Sequence, residues 1–430
     1  MSRQRVVVTG LGLLSPIGYN INENWSNLLN GKSGIKPLIS EEYKNLPCRI
    51  AGQIDRDKLA DNLLSTSIIR KSDLKSMSWA NIFALAAADE AIRDSGWTPG
   101  EENLRAGVSF GTGMSGMLET SEAAVNLKNQ KSYKTLSPYF VPKILPNLSS
   151  GLVSIKYKLK GPSHCVTTAC AAGTHAISDG FNFIRNGLVD VMVCGATEAC
   201  IHPVSIAGFC VMRALASKFN DRPLEASRPF DLDRDGFVMS EGAGVLILES
   251  LEHAEKRNAK IYAEIFGSGL NADANHITNP SPNGDGAFRC MSLAIQDSKI
   301  RPEDLNYINC HATSTPAGDL AEITAIKRLF KEKYLSHDVY ISSMKGALGH
   351  LLGAAGAAET ILTVLACKNK VLPFNLNLET IDSKLDINEI PQLKIIQKEP
   401  IELNANKIIA LKNSFGFGGT NASLCLGSYE

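Results

Sequence analysis

The sequence lacks several features that mark common protein classes. Lys plus Arg and Asp plus Glu number 44 each in 430 residues, so no basic excess is available for nucleic acid. No apolar run approaches the roughly 18 residues of a membrane span. Strand-like sequence starts at Arg5, so we expect no signal or transit peptide. The chain is therefore predicted to have neither a nucleic-acid nor a membrane partner.

Cysteine and glycine are present, but not in the patterns of metal or nucleotide sites. The ten Cys form no CxxC unit, which predicts no zinc site, no disulfide scaffold and a reducing compartment. No GxxxxGK[ST] motif occurs. Gly111–Gly116 fits GxGxxG by the letter, but no acid follows at the end of a next strand. A nucleotide site is therefore disfavoured.

What is present is typical of a large α/β protein. Hydrophobic residues make up 44% of the chain, enough for a substantial core. Short Val/Ile-rich runs alternate with Ala-rich runs, and the length predicts two domains or two fused halves. A charged stretch at residues 250–262 divides them. We place an N-terminal half at 1–258 and a C-terminal half at 259–430.

Cys170 is the first candidate for chemistry. It follows strand-like sequence and precedes Ala-Ala-Gly-Thr-His, which is typical of a helix start. A thiol there faces the positive end of a helix dipole, which favours the reactive thiolate. The alternative is a buried structural cysteine, and the local pattern alone leaves both interpretations open.

Two histidines in the second half share one kind of setting. His311 and His350 each follow a predicted strand and lie in a turn rich in small residues, where α/β folds place function. A single histidine there would be a structural hydrogen-bonding group in most proteins, but the repeated setting favours function. Near the chain end, Asn413-Ser-Phe-Gly-Phe-Gly-Gly-Thr-Asn421 predicts a tight turn after a strand.

Taken together, four strings resemble the elongating β-ketoacyl-[acyl-carrier-protein] synthases of type II fatty acid synthesis. They are Thr168-Ala-Cys-Ala, Cys310-His-Ala-Thr-Ser-Thr, Lys345-Gly-x-x-Gly-His and the Asn413–Asn421 string, in the family's order and spacing. The resemblance covers essentially the whole chain. Residues 140–145 and 154–161 look particularly like the mitochondrial form.

The resemblance implies a fold and a reaction. The fold is thiolase-like α/β, with two similar βαβαβαββ halves in a five-layered αβαβα arrangement, and the assembly is a homodimer. The reaction is a decarboxylative condensation that extends an acyl group by two carbons. A catalytic Cys-His-His triad falls on Cys170, His311 and His350. Lys345 and Glu359 would support it, and Phe417 would act as a gate; an ordinary buried ion pair is the alternative for Lys345 and Glu359.

The resemblance also places the substrates and the partner. Thr313 and Thr315 match residues that hydrogen-bond the phosphopantetheine arm, and Met114 and Phe209 fall in the acyl pocket, with turn formation and core packing as the respective alternatives. The partner is an acidic acyl carrier protein, which predicts a basic docking patch. Our candidates for that patch are Arg70, Lys71, Lys75 and Arg213.

No cofactor or catalytic metal is implied, because the phosphopantetheine arrives on the carrier protein. Some family members hold a monovalent cation near the position of Glu359, and we treat such a cation here as structural and optional. The mitochondrial matrix is the first expectation for localisation, and the cytoplasm of a bacterial-type enzyme is the alternative.

Four other functions agree less well with the sequence. A thiolase would use a second catalytic cysteine, and none stands beside Gly416–Gly419. A chain-initiating synthase would have Asn at the position of His350. A thiol protease explains neither the second histidine nor the four strings. A non-catalytic, carrier-binding chain-length partner is the main alternative, and such partners lack the nucleophile that Cys170 supplies.

Overall fold

The computed structural model describes residues 3–100, 103–331 and 333–429. Residues 1–2, 101–102, 332 and 430, which fall within the two predicted halves, lie outside the described residues. The strands are β1 (Val6–Leu14), β2 (Lys36–Pro37), β3 (Ile50–Ala51), β4 (Ala106–Gly111), β5 (Ser163–Val166), β6 (Val191–Glu198), β7 (Gly242–Ser250), β8 (Ala263–Ala272), β9 (Tyr307–Asn309), β10 (Val339–Ser342), β11 (Val371–Leu372), β12 (Leu393–Ile395), β13 (Ile401–Glu402), β14 (Ile409–Gly416) and β15 (Thr420–Ser428).

The helices lie between these strands along the chain, singly or in groups. They are α1 (Ile21–Leu29), α2 (Arg56–Ser65), α3 (Asp73–Ser76), α4 (Trp79–Ser95), α5 (Met117–Gln130), α6 (Phe140–Ile144), α7 (Leu148–Tyr157), α8 (Ala172–Arg185), α9 (Pro203–Val211), α10 (Leu251–Lys256), α11 (Asp285–Ser298), α12 (Pro316–Phe330), α13 (Lys345–Leu348) and α14 (Ala355–Asn369). Within the described ranges, none of the helices is both long and apolar enough to cross a membrane.

The main sheet has a first-half and a second-half section. Its order is β12-β10-β9-β14-β15-β8-β1-β7-β6-β4-β5. Strands β1 and β4–β7 come from the first half of the chain, and the remaining six come from the second half. The two sections meet where Val6–Val8 of β1 pairs antiparallel with Ala263–Ile265 of β8.

Alternating side chains bury both faces of each section. In β6, Val191 and Val193 belong to a core that includes α4, whereas Met192 and Cys194 belong to the central core. Side chains alternate across a strand, so this apolar run must be covered on both sides. The alternation explains why the strands read as continuous hydrophobic sequence.

Three layers of helices cover those faces, and together with the two sheet sections they make five layers. Helices α4 and α7 pack on the outer face of the first section, and α11 and α12 pack on the outer face of the second. Between the sections lie α8 and α14, which contact strands of both. A Cβ added at Gly356 of α14 would lie 2.6 Å from the Thr174 backbone nitrogen of α8, so small residues allow this close approach. The predicted αβαβα arrangement is confirmed.

Candidate active site

The site begins at Cys170, between the end of β5 and the start of α8. One turn of 3-10 helix, Ala169–Ala171, carries the residue into α8. Ala169 has φ of +48°, a left-handed conformation that non-glycine residues rarely adopt and that clusters at functional sites. The local fold thus holds the thiol at a strained turn, and Cys170 Sγ lies 3.0 Å from His350 Nε2.

The two predicted histidines lie beside this thiol. The rings of His311 and His350 are 5.3 Å apart between centroids at 78°. The ligand atoms of Cys170, His311 and His350 all lie within 4.8 Å of one another. A Cys-His-His set could also bind zinc. The expectation that the protein needs no metal stays a prediction.

Burial sets the protonation of both imidazoles. Each side chain is buried, and burial holds the pKa of His311 and of His350 well below the usual histidine value. The nearby Lys345 and Lys412 ammonium groups lower both values further, because a second positive charge disfavours the imidazolium. Both rings are therefore neutral near pH 7 and can donate or accept a hydrogen bond.

Burial works against the helix dipole at the thiol. It raises the pKa of Cys170 to about 12, and the Lys345 ammonium only partly opposes that rise. The helix start favours the thiolate, as predicted from the sequence, but burial removes the solvation of the charged form and outweighs that effect. The thiol therefore needs a nearby base to become nucleophilic, and His350 Nε2 is at hydrogen-bond distance.

A buried ion cluster lies behind the histidines. Lys345 Nζ lies 2.5 Å from Glu359 Oε1, and Lys412 Nζ lies 2.8 Å from Glu359 Oε2. The two lysine side chains are fully buried and that of Glu359 is 2% exposed. One carboxylate is thus shared by two ammonium groups, and Lys412 had not been singled out from the sequence.

Replacing Glu359 with Gln should destabilise the protein strongly. The substitution would leave Lys345 and Lys412 buried without the carboxylate between them, and breaking a buried pair in this way costs about 3–5 kcal/mol. Chemical unfolding should show this loss. Glu252→Gln is the matched control, because Glu252 is 72% exposed in a surface pair and its loss should cost about 0–1 kcal/mol. Equal losses in the two variants would contradict the prediction.

Two further buried carboxylates were missed by sequence reasoning. Glu322 of α12 accepts hydrogen bonds from the backbone N–H groups of His311 (2.9 Å) and Ala312 (2.7 Å), which fixes the His311 turn. Glu198, at the end of β6, accepts from the N–H groups of Gly113 (2.7 Å) and Gly353 (3.0 Å). Each carboxylate organises a loop, and only the tertiary fold brings it to that loop.

The predicted hairpin near the chain end is present and carries Phe417 into the site. Strands β14 and β15 pair from Ile409 to Gly416, and Gly418 and Gly419 have φ of +86° and +70°, which glycine adopts without strain. The Phe417 ring is 36% exposed and stands 6.5 Å from that of Phe209, between centroids. The Phe417 ring therefore lies at the protein surface, where its movement could admit or exclude a ligand.

A cavity of about 470 Å³ joins these groups. Most predicted site residues line it: Cys170, His311, His350, Phe417, Thr313, Thr315, Met114, Phe209 and Arg213. The hydroxyls of Thr313 and Thr315 lie 3.1 Å apart, so they do share one side of the segment. Lys345 and Glu359 are buried and do not line the cavity.

Three of the predicted docking residues stand apart from the cavity. Arg70, Lys71 and Lys75 are exposed, but none of them lines it. Arg70 is instead paired with Asp73 at 3.3 Å. Of the four predicted docking residues, Arg213 is the one that lines the cavity.

Comparison with known proteins decides the family. Residues 3–254 match the family model described as "Beta-ketoacyl synthase, N-terminal domain", and residues 262–379 match the one described as "Beta-ketoacyl synthase, C-terminal domain". The chain belongs to the β-ketoacyl synthase family. It is therefore a condensing enzyme of the acyltransferase type. The division predicted at 258/259 stays a prediction.

Relatives of this synthase come from mitochondria and from bacteria. The 3-oxoacyl-[acyl-carrier-protein] synthase, mitochondrial, of Arabidopsis thaliana is 44% identical over 99% of this chain and 94% of its own length. The 3-oxoacyl-[acyl-carrier-protein] synthase 2 of Rhizobium meliloti is 43% identical over 99% of both chains.

Solved structures confirm the thiolase-like fold of this synthase. One is the ketosynthase of a type II PKS, solved in complex with its acyl-carrier protein. It matches this chain with a TM-score of 0.89 and 31% sequence identity, and the match covers 100% of both chains. A β-ketoacyl synthase from Burkholderia phymatum has a TM-score of 0.86 and 31% identity, covering 99% of this chain and 100% of the other.

Proposed function

We propose that this synthase is a 3-oxoacyl-[acyl-carrier-protein] synthase that elongates fatty acyl chains by two carbons on Cys170. The observation that carries this assignment is the placement of Cys170 Sγ 3.0 Å from His350 Nε2, with His311 beside them, in one cavity. A non-catalytic chain-length partner would have no use for a thiol and two neutral imidazoles held together in this way.

In the first half-reaction the acyl group moves to the enzyme. The Cys170 sulfur attacks the thioester carbonyl of acyl-carrier protein, and the thiol proton passes to His350 Nε2. The tetrahedral intermediate collapses, and the departing phosphopantetheine sulfur takes that proton, so holo-carrier leaves before the second substrate binds. The backbone N–H groups of Cys170 and Phe417 would hold the oxyanion.

In the second half-reaction malonyl-carrier protein loses CO₂. The electron pair of the breaking C–C bond forms an enolate, whose oxygen accepts N–H bonds from neutral His311 and His350. No hydrogen bond from a described residue fixes the tautomer of His350 at Nδ1, so proton exchange with solvent between the two half-reactions can leave the ring protonated at Nε2. The enolate carbon then attacks the acyl-Cys170 carbonyl, the C–S bond breaks as the 3-oxoacyl product forms, and the departing thiolate takes up a solvent proton.

The remaining predicted residues would bind substrate or position these groups. Thr313 and Thr315 would hydrogen-bond the phosphopantetheine arm, and Met114 and Phe209 would contact the acyl chain. Phe417 would gate the cavity. Lys345, held by Glu359, would keep the imidazoles neutral through its charge. The groups already present account for both half-reactions without a redox cofactor or a catalytic metal.

Product analysis tests the assignment directly. Purified enzyme is mixed with an acyl-carrier protein primer and carboxyl-labelled malonyl-carrier protein, and both CO₂ and 3-oxoacyl-carrier protein are measured. Equal amounts of the two products support the proposal. Release of CO₂ without condensation, or condensation only with coenzyme A thioesters, would overturn it.

Acyl carrier protein is the proposed partner, and Arg213 is the basic residue best placed to meet it. Arg213 lines the cavity, is exposed and has φ of +54°. Arg213→Glu should therefore raise KM for carrier-bound substrates about tenfold or more, since a like charge opposes docking, with little change in kcat. Arg70→Glu is the matched control and should leave KM near the wild-type value. The reverse result would move the docking surface to the Arg70 region.

A second copy of this chain is the other proposed partner. Helix α5 has no buried residue, and the segment from α5 to α7 exposes several large apolar side chains: Val125, Leu127, Tyr139, Val141 and Leu145. An apolar surface of this kind marks an interface, and β5 nearby is the edge of the sheet. Light scattering should give twice the 46.3 kDa chain mass, and a monomer at micromolar concentration would overturn the homodimer.

For localisation we propose the mitochondrial matrix. The support is the 44% identity to the Arabidopsis relative that is named mitochondrial, together with the resemblance of residues 140–145 and 154–161 to the mitochondrial form. Relatives named from bacteria are almost as similar, so cytoplasmic localisation is the alternative. Fractionation of the source cells distinguishes the two compartments.

A further inference from the structure

A lysine occupies the inside of the protein next to Glu359. Lys412 lies on β14, between β9 and β15, and its side chain is fully buried. Buried lysines are rare unless they are paired. This one is held by oxygen atoms from two different elements, which makes it part of a built site rather than a packing accident.

Three oxygen groups surround its ammonium nitrogen. Lys412 Nζ donates to the backbone carbonyl of Asn413 and, at 2.7 Å, to the hydroxyl of Ser414, while Glu359 Oε2 lies 2.8 Å away. The carbonyl and the hydroxyl accept hydrogen bonds from the ammonium, and the carboxylate is its ion-pair partner. A carboxylate, a carbonyl and a hydroxyl are also the oxygen ligands that a hard cation prefers.

This arrangement bears on the monovalent cation that the family resemblance allows near Glu359. A metal ion at the same oxygens would lie against the Lys412 ammonium and be repelled by it. The residues present therefore do not fit a bound cation. We propose that the Lys412 ammonium group takes the place of that cation, so that this chain carries its own positive charge beside Glu359.

The neighbouring charges agree with that role. Lys345 and Lys412 supply two positive charges, and Glu359 and Glu322 supply two carboxylates, with Glu322 linked to the cluster through Asn413 Nδ2 at 3.0 Å. Burial lowers the pKa of Lys412, and the Glu359 carboxylate opposes that effect. Removing either lysine charge would leave the cluster unbalanced.

The ammonium is also connected to the catalytic helix. Ser414, which accepts from Lys412, is 2.8 Å from the Thr174 hydroxyl in the first turn of α8, four residues after Cys170. The contacts to Glu359 of α14 and to Ser414 thus tie β14 to both central helices. Lys412 is a positioning residue in this arrangement and touches no substrate.

Thermal unfolding in different chlorides tests the inference. Wild-type enzyme is melted in potassium, sodium and tetramethylammonium chloride at equal ionic strength. The three midpoints should agree, because the Lys412 ammonium already fills the site beside Glu359. A midpoint that rises saturably with K⁺ over tetramethylammonium would overturn the proposal. This comparison needs no variant and does not depend on the reaction proposed above.

Two substitutions at Lys412 complete the test. Lys412→Ser opens the oxygen site, so its midpoint should fall in tetramethylammonium chloride and rise again with K⁺, as expected for a ligand that binds only the folded state. Lys412→Met fills the space without charge, and its midpoint should fall without any response to K⁺. Lys394→Ser, at an exposed lysine on β12, is the control and should match wild type. A Lys412→Ser variant that ignores K⁺, or that melts like wild type in every salt, overturns the proposal.

Discussion

Cys170→Ala should abolish condensation while leaving malonyl decarboxylation in place. Alanine cannot form the acyl thioester, so 3-oxoacyl product should fall on the order of a thousand-fold or more, as for other lost nucleophiles. His311 and His350 remain to stabilise the enolate, so CO₂ should still be released from malonyl-carrier protein. The two products, equal in the wild type, should separate in this variant. Labelled malonate measures both in one assay.

The control for this variant is Cys165→Ala. Cys165 lies in β5, five residues before the nucleophile. Among the described residues, its Sγ hydrogen-bonds only the Val166 carbonyl. Its loss should leave both products at wild-type levels. Condensation that survived in Cys170→Ala, or that disappeared in Cys165→Ala, would show that the nucleophile has been assigned to the wrong thiol.

Much of this site could be predicted because its residues lie in short sequence motifs. Cys170, His311 and His350 each stand in a small-residue turn after a strand, and the carboxyl ends of strands meet at one place in an α/β fold. Four such motifs in the family's order indicated the family, and the fold was predicted from that resemblance. The continuous apolar runs predicted buried strands, and the alternation seen in Val191–Cys194 explains why.

The rest could not be predicted because it depends on pairs far apart in sequence. Glu322 accepts a hydrogen bond from the backbone of His311, eleven residues earlier in the chain. Glu198 accepts one from the backbone of Gly353, which is 155 residues away. Lys412 directly precedes the turn predicted at Asn413–Asn421, and only the packing of β14 against α14 shows that its ammonium group is buried beside Glu359. The thiol pKa depends on burial, which the helix start does not reveal.

The predicted docking patch is the part of the site that the cavity does not locate. Arg70, Lys71 and Lys75 are exposed and do not line the cavity, and their role in docking an acidic carrier protein stays a prediction. Charged residues on a solvated surface carry little positional information in sequence. Arg213 differs because the short helix α9, which also carries Phe209, brings it to the cavity.

His311→Ala and His350→Ala should each slow CO₂ release by about a hundred-fold or more, because each removes one N–H donor from the enolate oxygen. The variants should differ in the first half-reaction. His350 Nε2 is 3.0 Å from Cys170 Sγ, so His350→Ala should also slow acylation of the enzyme, whereas His311→Ala should acylate normally. Intact-protein mass measurements after mixing with acyl-carrier protein follow that step. His337→Ala, at a histidine that bonds the Leu305 carbonyl, is the control.

The pH dependence of decarboxylation gives this assignment a second test. Burial and the neighbouring lysines hold the pKa of His311 and His350 well below the usual value. The neutral rings should therefore persist as the pH falls through about 6.5, where an ordinary histidine gains its proton. The acid limb of wild-type CO₂ release should lie below that pH. A limb centred at or above it would mean that a charged imidazole forms in the working range, and that the neutral donors assigned here do not stabilise the enolate.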